Sequence, residues 1–186
     1  MKQRKQLTII FGIIAGVSVC LIAVVLWMVN KEHRFLNYKN TTYSFSIKYP
    51  TSWALSENQN GTAVMFTSPL ENKLDTFKEN FNVVVQDLSQ HPTKLDIYTM
   101  LSIAQMKVLF KSKLVVVDSS PAYLDGHPAY NFTFIVKEAD SEMKFKSIWT
   151  VVKDVKAYQV TYGATSSQYD KYLPQIDKMI KSFKIQ

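Results

Sequence analysis

From Leu7 to Val29 the chain runs for 23 residues without a formal charge, rich in Ile, Val, Leu and Phe. As a helix this run measures about 34 Å at ~1.5 Å per residue. A bilayer core takes ~20 such residues, so the run is long enough to span with some tilt. Lys2, Arg4 and Lys5 precede it, and Lys31, Glu32, His33 and Arg34 follow. The positive excess on the leading side predicts a cytoplasmic N-terminus with the rest of the chain outside. Trp27 falls near the outer end, where an indole suits the interface. A cleaved signal peptide has a shorter core, of about 7–15 residues, ending at a small-x-small site. The best match, Gly16-Val17-Ser18, lies mid-run, so the run is expected to stay as an anchor. Cys20 follows Val19 inside the run, which does not fit a lipid-attachment site. An apolar surface on all sides, flanked by basic residues, favours lipid over a protein core. The expected layout is a cytoplasmic N-terminus (1–6), a transmembrane anchor (7–29), a short tether (30–37) and one extracytoplasmic domain (38–186). That layout describes a single-pass plasma-membrane protein.

Beyond the anchor the composition is that of one folded domain: over the 186 residues, 47% are apolar, 13% aromatic and 20% charged. A single cysteine forms neither an internal disulfide nor a cysteine zinc site. Of the 22 Lys and Arg, 19 follow the run, against all 15 Asp and Glu, a net of +4. Arg34 is the last arginine and no dense basic cluster occurs. A nucleic-acid footprint needs clustered Arg and Lys with stacking aromatics, so that class is excluded.

Period-two patterning predicts strands at Tyr43–Tyr49, Thr62–Thr67, Phe81–Asp87, Leu114–Leu124, Ala129–Lys137, Met143–Val152 and Ala157–Gly163. Ser119-Ser120-Pro121 is expected to interrupt the fourth. Short turns between consecutive strands argue for antiparallel pairing. Two helices are predicted. Thr93 can cap Leu95–Phe110, with Asp96 three residues on. Its buried face is expected to carry Ile97, Met100, Leu101, Ala104, Val108 and Leu109. The C-terminal helix begins at Ser166 or Ser167 and turns Tyr172, Leu173, Ile176, Met179, Ile180 and Phe183 inward, with Pro174 a kink or a first turn. The fold class is α+β, a central antiparallel sheet with helices on its faces.

Chemistry is sparse. His33 lies in the tether, His91 precedes Pro92 in a loop, and His127 sits in the turn Asp125-Gly126-His127-Pro128. Three histidines so scattered do not make a zinc site. No Gly-x-Ser-x-Gly elbow, phosphate loop or dinucleotide fingerprint occurs. Glu71, Asp75 and Glu79 stand four apart and would share a face if helical, but their spacing is not that of a calcium loop. Asn40, Asn60 and Asn131 each begin an Asn-x-Thr triplet, which matters only in a secretory eukaryotic setting. No catalytic, cofactor or metal-binding residues are assigned, and no enzyme is expected.

The order of local motifs carries more. Tyr43-Ser-Phe-Ser-Ile-Lys-Tyr-Pro50 followed by Trp53, Val64-Met-Phe-Thr-Ser-Pro69 after Gly61, Asp75-Thr-Phe-Lys-Glu-Asn80 before Val83-Val-Val85, Gly126-His-Pro-Ala129, and Tyr158-Gln-Val-Thr-Tyr162 with Tyr172 and Ser182-Phe183 together resemble the PsbP-like domain family. The resemblance covers about residues 38–184. It implies an α/β/α sandwich around an antiparallel sheet, here as a membrane-anchored bacterial-type member. For function it implies a rigid, non-catalytic domain that docks onto a partner, and it carries over no ion ligands and no link to photosynthesis. The expected role is a membrane-tethered accessory module with a protein partner at the membrane. Trp53, Tyr123 and Tyr130 are the aromatic candidates for the docking face. Two alternatives stand beside it: an envelope hydrolase in which His91, His127 and Asp125 converge, and a small-ligand carrier with an unfilled interior.

Overall fold

The computed structural model describes residues 34–186. The anchor expected over 7–29 lies outside the described residues, as do Cys20 and His33. Among the described residues no helix is long and apolar enough to cross a membrane. Five strands come first: β1 (Phe35–Asn40), β2 (Phe45–Pro50), β3 (Ala54–Glu57), β4 (Val64–Thr67) and β5 (Asn80–Asp87). Helix α1 (Leu95–Phe110) and a single 3-10 turn (Lys111–Lys113) lead into β6 (Leu114–Leu124), β7 (His127–Lys137), β8 (Glu142–Val152) and β9 (Lys156–Thr165). Helix α2 (Tyr169–Ser182) and the two-residue β10 (Lys184–Ile185) close the chain.

Seven strands form one antiparallel sheet in the order β3-β4-β5-β9-β8-β7-β6. Its pleat sends neighbouring residues to opposite faces. Tyr158, Val160 and Tyr162 of β9, with Ile148 of β8, join a core closed by Tyr172, Ile176 and Met179 of α2. Ala157 and Trp149, one residue away on the same strands, join a second core with Phe132, Phe134 and Val136 under α1. The helices therefore lie on opposite faces, giving the α/β/α layering. The inward positions expected for α2 are borne out: Tyr172, Ile176, Met179 and Phe183 are buried, and Leu173 and Ile180 pack beside them. Pro174 lies inside that helix. Asp125 and Gly126, both at positive φ, make the two-residue hairpin turn between β6 and β7, where backbone twist demands that conformation.

Several expectations are corrected. The sheet is not alone: β1, β2 and β10 form a second, three-stranded sheet on the α2 side, with Phe45 and Ile47 in the first core. Residues 35–37, expected in the tether, belong to β1. Phe35 and Tyr38 pack on that core, and Tyr38 pairs with Ile47 across β1 and β2. Strand β3 was not foreseen. It is short and pairs only with β4. Strand β6 runs unbroken through Ser119-Ser120-Pro121. As an edge strand it tolerates the missing proline N–H, and the irregularity falls between Val116 and Asp118 instead. Thr93 does not cap α1: its hydroxyl donates to the His91 carbonyl at 2.7 Å, and Lys94 occupies the cap position.

Candidate functional site

Helix α1 seats on the sheet with a different face from the one expected. Leu95, Tyr98, Ile103, Met106 and Phe110 meet the second core, and Thr99 is buried with them. The indole N–H of the fully buried Trp149 donates to the Thr99 hydroxyl at 2.8 Å, which fixes the helix over β8. Phe110 packs on Phe134 with ring centroids 6.0 Å apart, fixing the C-terminal end. The aromatic bed, with Trp149 against Tyr130 and Phe145 against Phe134, gives these few contacts a large apolar area. The face expected inside points outward: Ile97 is 44% exposed, Met100 58%, Leu101 55%, Val108 74% and Leu109 71%, with Ala104 exposed among them. Ile97, Met100, Leu101, Ala104 and Val108 follow the three-and-four spacing of one helical stripe, so they form a continuous apolar crest. Val116, in register with Phe134 and so on the same face of the sheet, extends exposed apolar surface onto β6.

Because α1 lies chiefly over β6, β7 and β8, the β5 and β9 part of that face is only partly covered beside it. A groove of about 790 Å³ runs between them. Leu101, Met106 and Val108 form its wall, and Val84, Gln86 and Gln159 its floor. The floor is ordered by hydrogen bonds. Tyr98 donates to Gln86 Oε1 at 3.2 Å. Gln159 Nε2 donates to Ser147 Oγ at 2.9 Å and to Thr161 Oγ1 at 3.3 Å. Burial pushes the Tyr98 phenol up, so it remains a donor at neutral pH. Each glutamine keeps one amide arm that no described residue engages. Sequence reasoning missed both glutamines, because an isolated Gln in a strand carries no local signal of its use.

The other candidate residues are dispersed. Trp53 is buried and lies edge-on to Tyr172 at 5.8 Å, so it is core. Tyr130 is half-buried on Trp149, with its hydroxyl 3.0 Å from Ser119 Oγ. Tyr123 alone of the three is open, at 74%. His91 lines the end of the groove, whereas His127 begins β7. Asp125 is committed to the C-terminal strand: it accepts from Lys184 Nζ at 2.6 Å and from the Ile185 N–H at 2.9 Å. Burial opposes its ionisation, but those two donors hold its carboxyl below the ordinary value. No hydrogen bond or ion pair among the described residues joins His91 to His127 or Asp125. The acidic stretch is not helical, and its carboxylates have separate tasks. Glu71 pairs with Lys171 at 2.6 Å, Asp75 accepts the Glu71 and Phe77 N–H groups, and the buried Glu79 accepts from Ser68 Oγ at 2.9 Å. Among the described residues no group of three His, Cys, Asp or Glu side chains is placed to hold a metal ion. Asn40 and Asn131 are buried, while Asn60 sits exposed at a turn.

A family model described as PsbP matches residues 33–185. No curated protein matches the chain in sequence. Solved structures of similar fold include cyanobacterial PsbP (CyanoP) from Synechocystis, 15% identical with a TM-score of 0.62 over 82% of this chain and 92% of that one. LpqN of Mycobacterium tuberculosis, described as involved in cell envelope biogenesis, is 11% identical with a TM-score of 0.59, over 82% and 91% of the two chains. The Ran-binding protein Mog1p of Saccharomyces cerevisiae is 7% identical with a TM-score of 0.57, over 82% and 95%. At these identities the likeness is one of fold.

Proposed function

The chain belongs to the PsbP family, and from that premise we propose that it is a membrane-tethered, extracytoplasmic and non-catalytic docking module whose partner contacts helix α1. The observation that carries the reading is the outward apolar crest of α1, since a solvated helix of a lone domain places charge there. Residues 7–29 serve as the anchor. Only residues 30–34 then separate the anchor from Phe35, and five residues reach about 18 Å at ~3.3–3.6 Å each. The tether enters β1, in the α2 layer. A domain held that way turns its α2 layer toward the bilayer and its α1 layer away from it. The partner is accordingly a protein element standing off the membrane rather than the lipid surface itself. Tethering raises the effective concentration of such a partner, so a modest apolar contact suffices. Among proteins of similar fold, one is named for binding a protein, Ran, and another is described as involved in envelope biogenesis. The first description suits a fold used for docking, and the second a fold used in the envelope.

The test is crosslinking of the full-length chain in its native membrane, followed by mass spectrometry. An Ile97→Lys/Met100→Lys variant and a chain lacking residues 1–30 serve as comparisons. The expected result is a recurrent membrane or envelope protein crosslinked at α1, lost in the double variant and weakened without the anchor. The same partners on the double variant would overturn the reading.

A further inference from the structure

The groove beside α1 differs in character from the crest, and its chemistry selects a different kind of contact. This inference rests on the docking reading and names what the partner inserts: we propose that the groove between α1 and strands β5 and β9 binds an extended peptide segment of the partner, with the unused amide arms of Gln86 and Gln159 reading its backbone.

Three observations converge. The first is the pairing of the two glutamines. Val84 lies opposite Gln159 and Gln86 opposite Ala157, so Gln86 and Gln159 are diagonal neighbours on one face. Diagonal neighbours stand roughly 7–8 Å apart. Residues i and i+2 of an extended chain are about 7 Å apart at ~3.4 Å per residue, and both turn their backbone groups the same way. Two such residues can therefore reach both arms at once, whereas a helix presents no free backbone groups along its side.

The second is polarity. Tyr98 engages Gln86 Oε1, which leaves Gln86 Nε2 as a donor; Ser147 and Thr161 engage Gln159 Nε2, which leaves Gln159 Oε1 as an acceptor. One donor and one acceptor complement a peptide C=O and a peptide N–H. An anion or a cation would instead want two groups of like sense. The third is the wall. Leu101, Met106 and Val108 give alternate side chains of an extended segment an apolar surface, and Leu101 and Val108 also belong to the crest. A partner seated on the crest can thus lay an adjoining extended segment into the groove without a gap.

The experiment selects a phage-displayed library of random linear dodecapeptides on the full-length chain in detergent micelles. The strongest selected peptide is then synthesised with capped ends and its affinity measured by fluorescence anisotropy. The selected sequences should alternate apolar residues. Gln86→Ala and Gln159→Ala should each weaken binding by up to about tenfold, the effect of one lost hydrogen bond. N-methylation of one central backbone amide of the peptide should do the same, a readout independent of the protein's stability. Ile97→Lys, on the crest and outside the groove, should leave the peptide affinity within about twofold. Failure to enrich any peptide over bare micelles would overturn the inference, as would peptides indifferent to the glutamine variants and to N-methylation. The two readings fail separately. If crosslinking to the partner is lost with the crest variant but peptide binding ignores the glutamines, the docking reading stands and the peptide inference falls. If the glutamine effects appear but the crest variant keeps its partners, the groove inference stands and the crest reading falls.

Discussion

Leu101→Lys should leave stability within about 0.5 kcal/mol, as for ordinary surface changes, whereas Thr99→Val, two positions earlier, should cost about 1–3 kcal/mol. Leu101 is 55% exposed and Thr99 only 8%. Valine copies the shape of threonine, so Thr99→Val opens no cavity and its cost comes from one atom. Thr99 Oγ1 accepts the Trp149 N–H at 2.8 Å, and that indole is fully buried, with no second acceptor for its nitrogen among the described residues. Removing the acceptor leaves a donor stranded in an apolar bed, and the desolvation penalty is no longer offset. If the crest were the buried face, as its periodicity predicts, the costs would reverse. Leu101→Lys would then exceed the ~2–5 kcal/mol of a buried leucine truncation, and Thr99→Val would be neutral. Urea unfolding of the full chain in mild detergent, followed by far-ultraviolet circular dichroism, measures both, provided the slopes agree so that only stability has changed. A cost above 2 kcal/mol for Leu101→Lys, or below 0.5 kcal/mol for Thr99→Val, would refute the assignment of faces.

Gly163→Ala should destabilise by about 1–3 kcal/mol, because a Cβ there would stand 2.8 Å from Phe145 Cε1 in a ring already stacked on Phe134; a thermal melt showing no loss would contradict that contact. Asp125 has a lowered folded pKa, so its contribution is present above the ordinary value of 3.8 and is lost as pH falls through the folded value. Amide exchange at Ile185 should therefore accelerate in acid beyond the intrinsic trend, and Asp125→Asn should remove that extra pH dependence. Tyr38 and Tyr169 are each pushed up to about 12, chiefly by burial, with Glu57 adding to the effect at Tyr38. A raised folded pKa favours the protonated fold, so stability should decline as pH rises from about 10 toward 12. The phenolate absorbance of those two, read as the difference from Tyr38→Phe and Tyr169→Phe variants, should then appear together with unfolding rather than before it, and their ordinary titration in the native fold would count against their burial.

How far the sequence could be read depended on whether each element had one apolar phase or two. Helix α2 offers one. Tyr172, Ile176 and Met179 are large and inward, and the positions around them include Lys171, Asp177, Lys178 and Lys181, so periodicity can only be read one way. Helix α1 offers two. The phase through Ile97, Met100, Leu101, Ala104 and Val108 is the more apolar by composition. The phase through Leu95, Tyr98, Thr99, Ile103, Met106 and Phe110 is the one the aromatic bed of β7 and β8 accepts, because Trp149 needs an acceptor and Phe134 a ring partner. That choice depends on tertiary contacts that no local pattern records. Strand β1 was hidden for a simpler reason. Leu36, Asn37 and Lys39 are exposed, and the strand is held by pairing with β2 rather than by a clean alternation of its own. The groove floor was hidden because its use arises only when β5 and β9, far apart in sequence, become neighbours.

The difference between the two helices bears on function as well as on legibility. Each covers one face of the same sheet, so the demands of the fold on them are alike: one apolar stripe inward and a solvated back. Helix α2 meets this with Asp170, Lys171, Asp177, Lys178 and Lys181 in 14 residues. Helix α1 has only Asp96 and Lys107 in 16. The chain is not short of lysine, having 19 Lys and Arg after the apolar run, so the charge-poor back of α1 is a local choice. Folding gains nothing from it, and an exposed apolar stripe is an aggregation liability. A contact that covers the crest offsets that liability. Of the two helical layers, the one with less charge is also the one farther from β1. On the proposed reading these observations belong together: the α2 layer, solvated and next to the tether, faces the membrane side, and the α1 layer is left apolar because a partner reaches it from the other side.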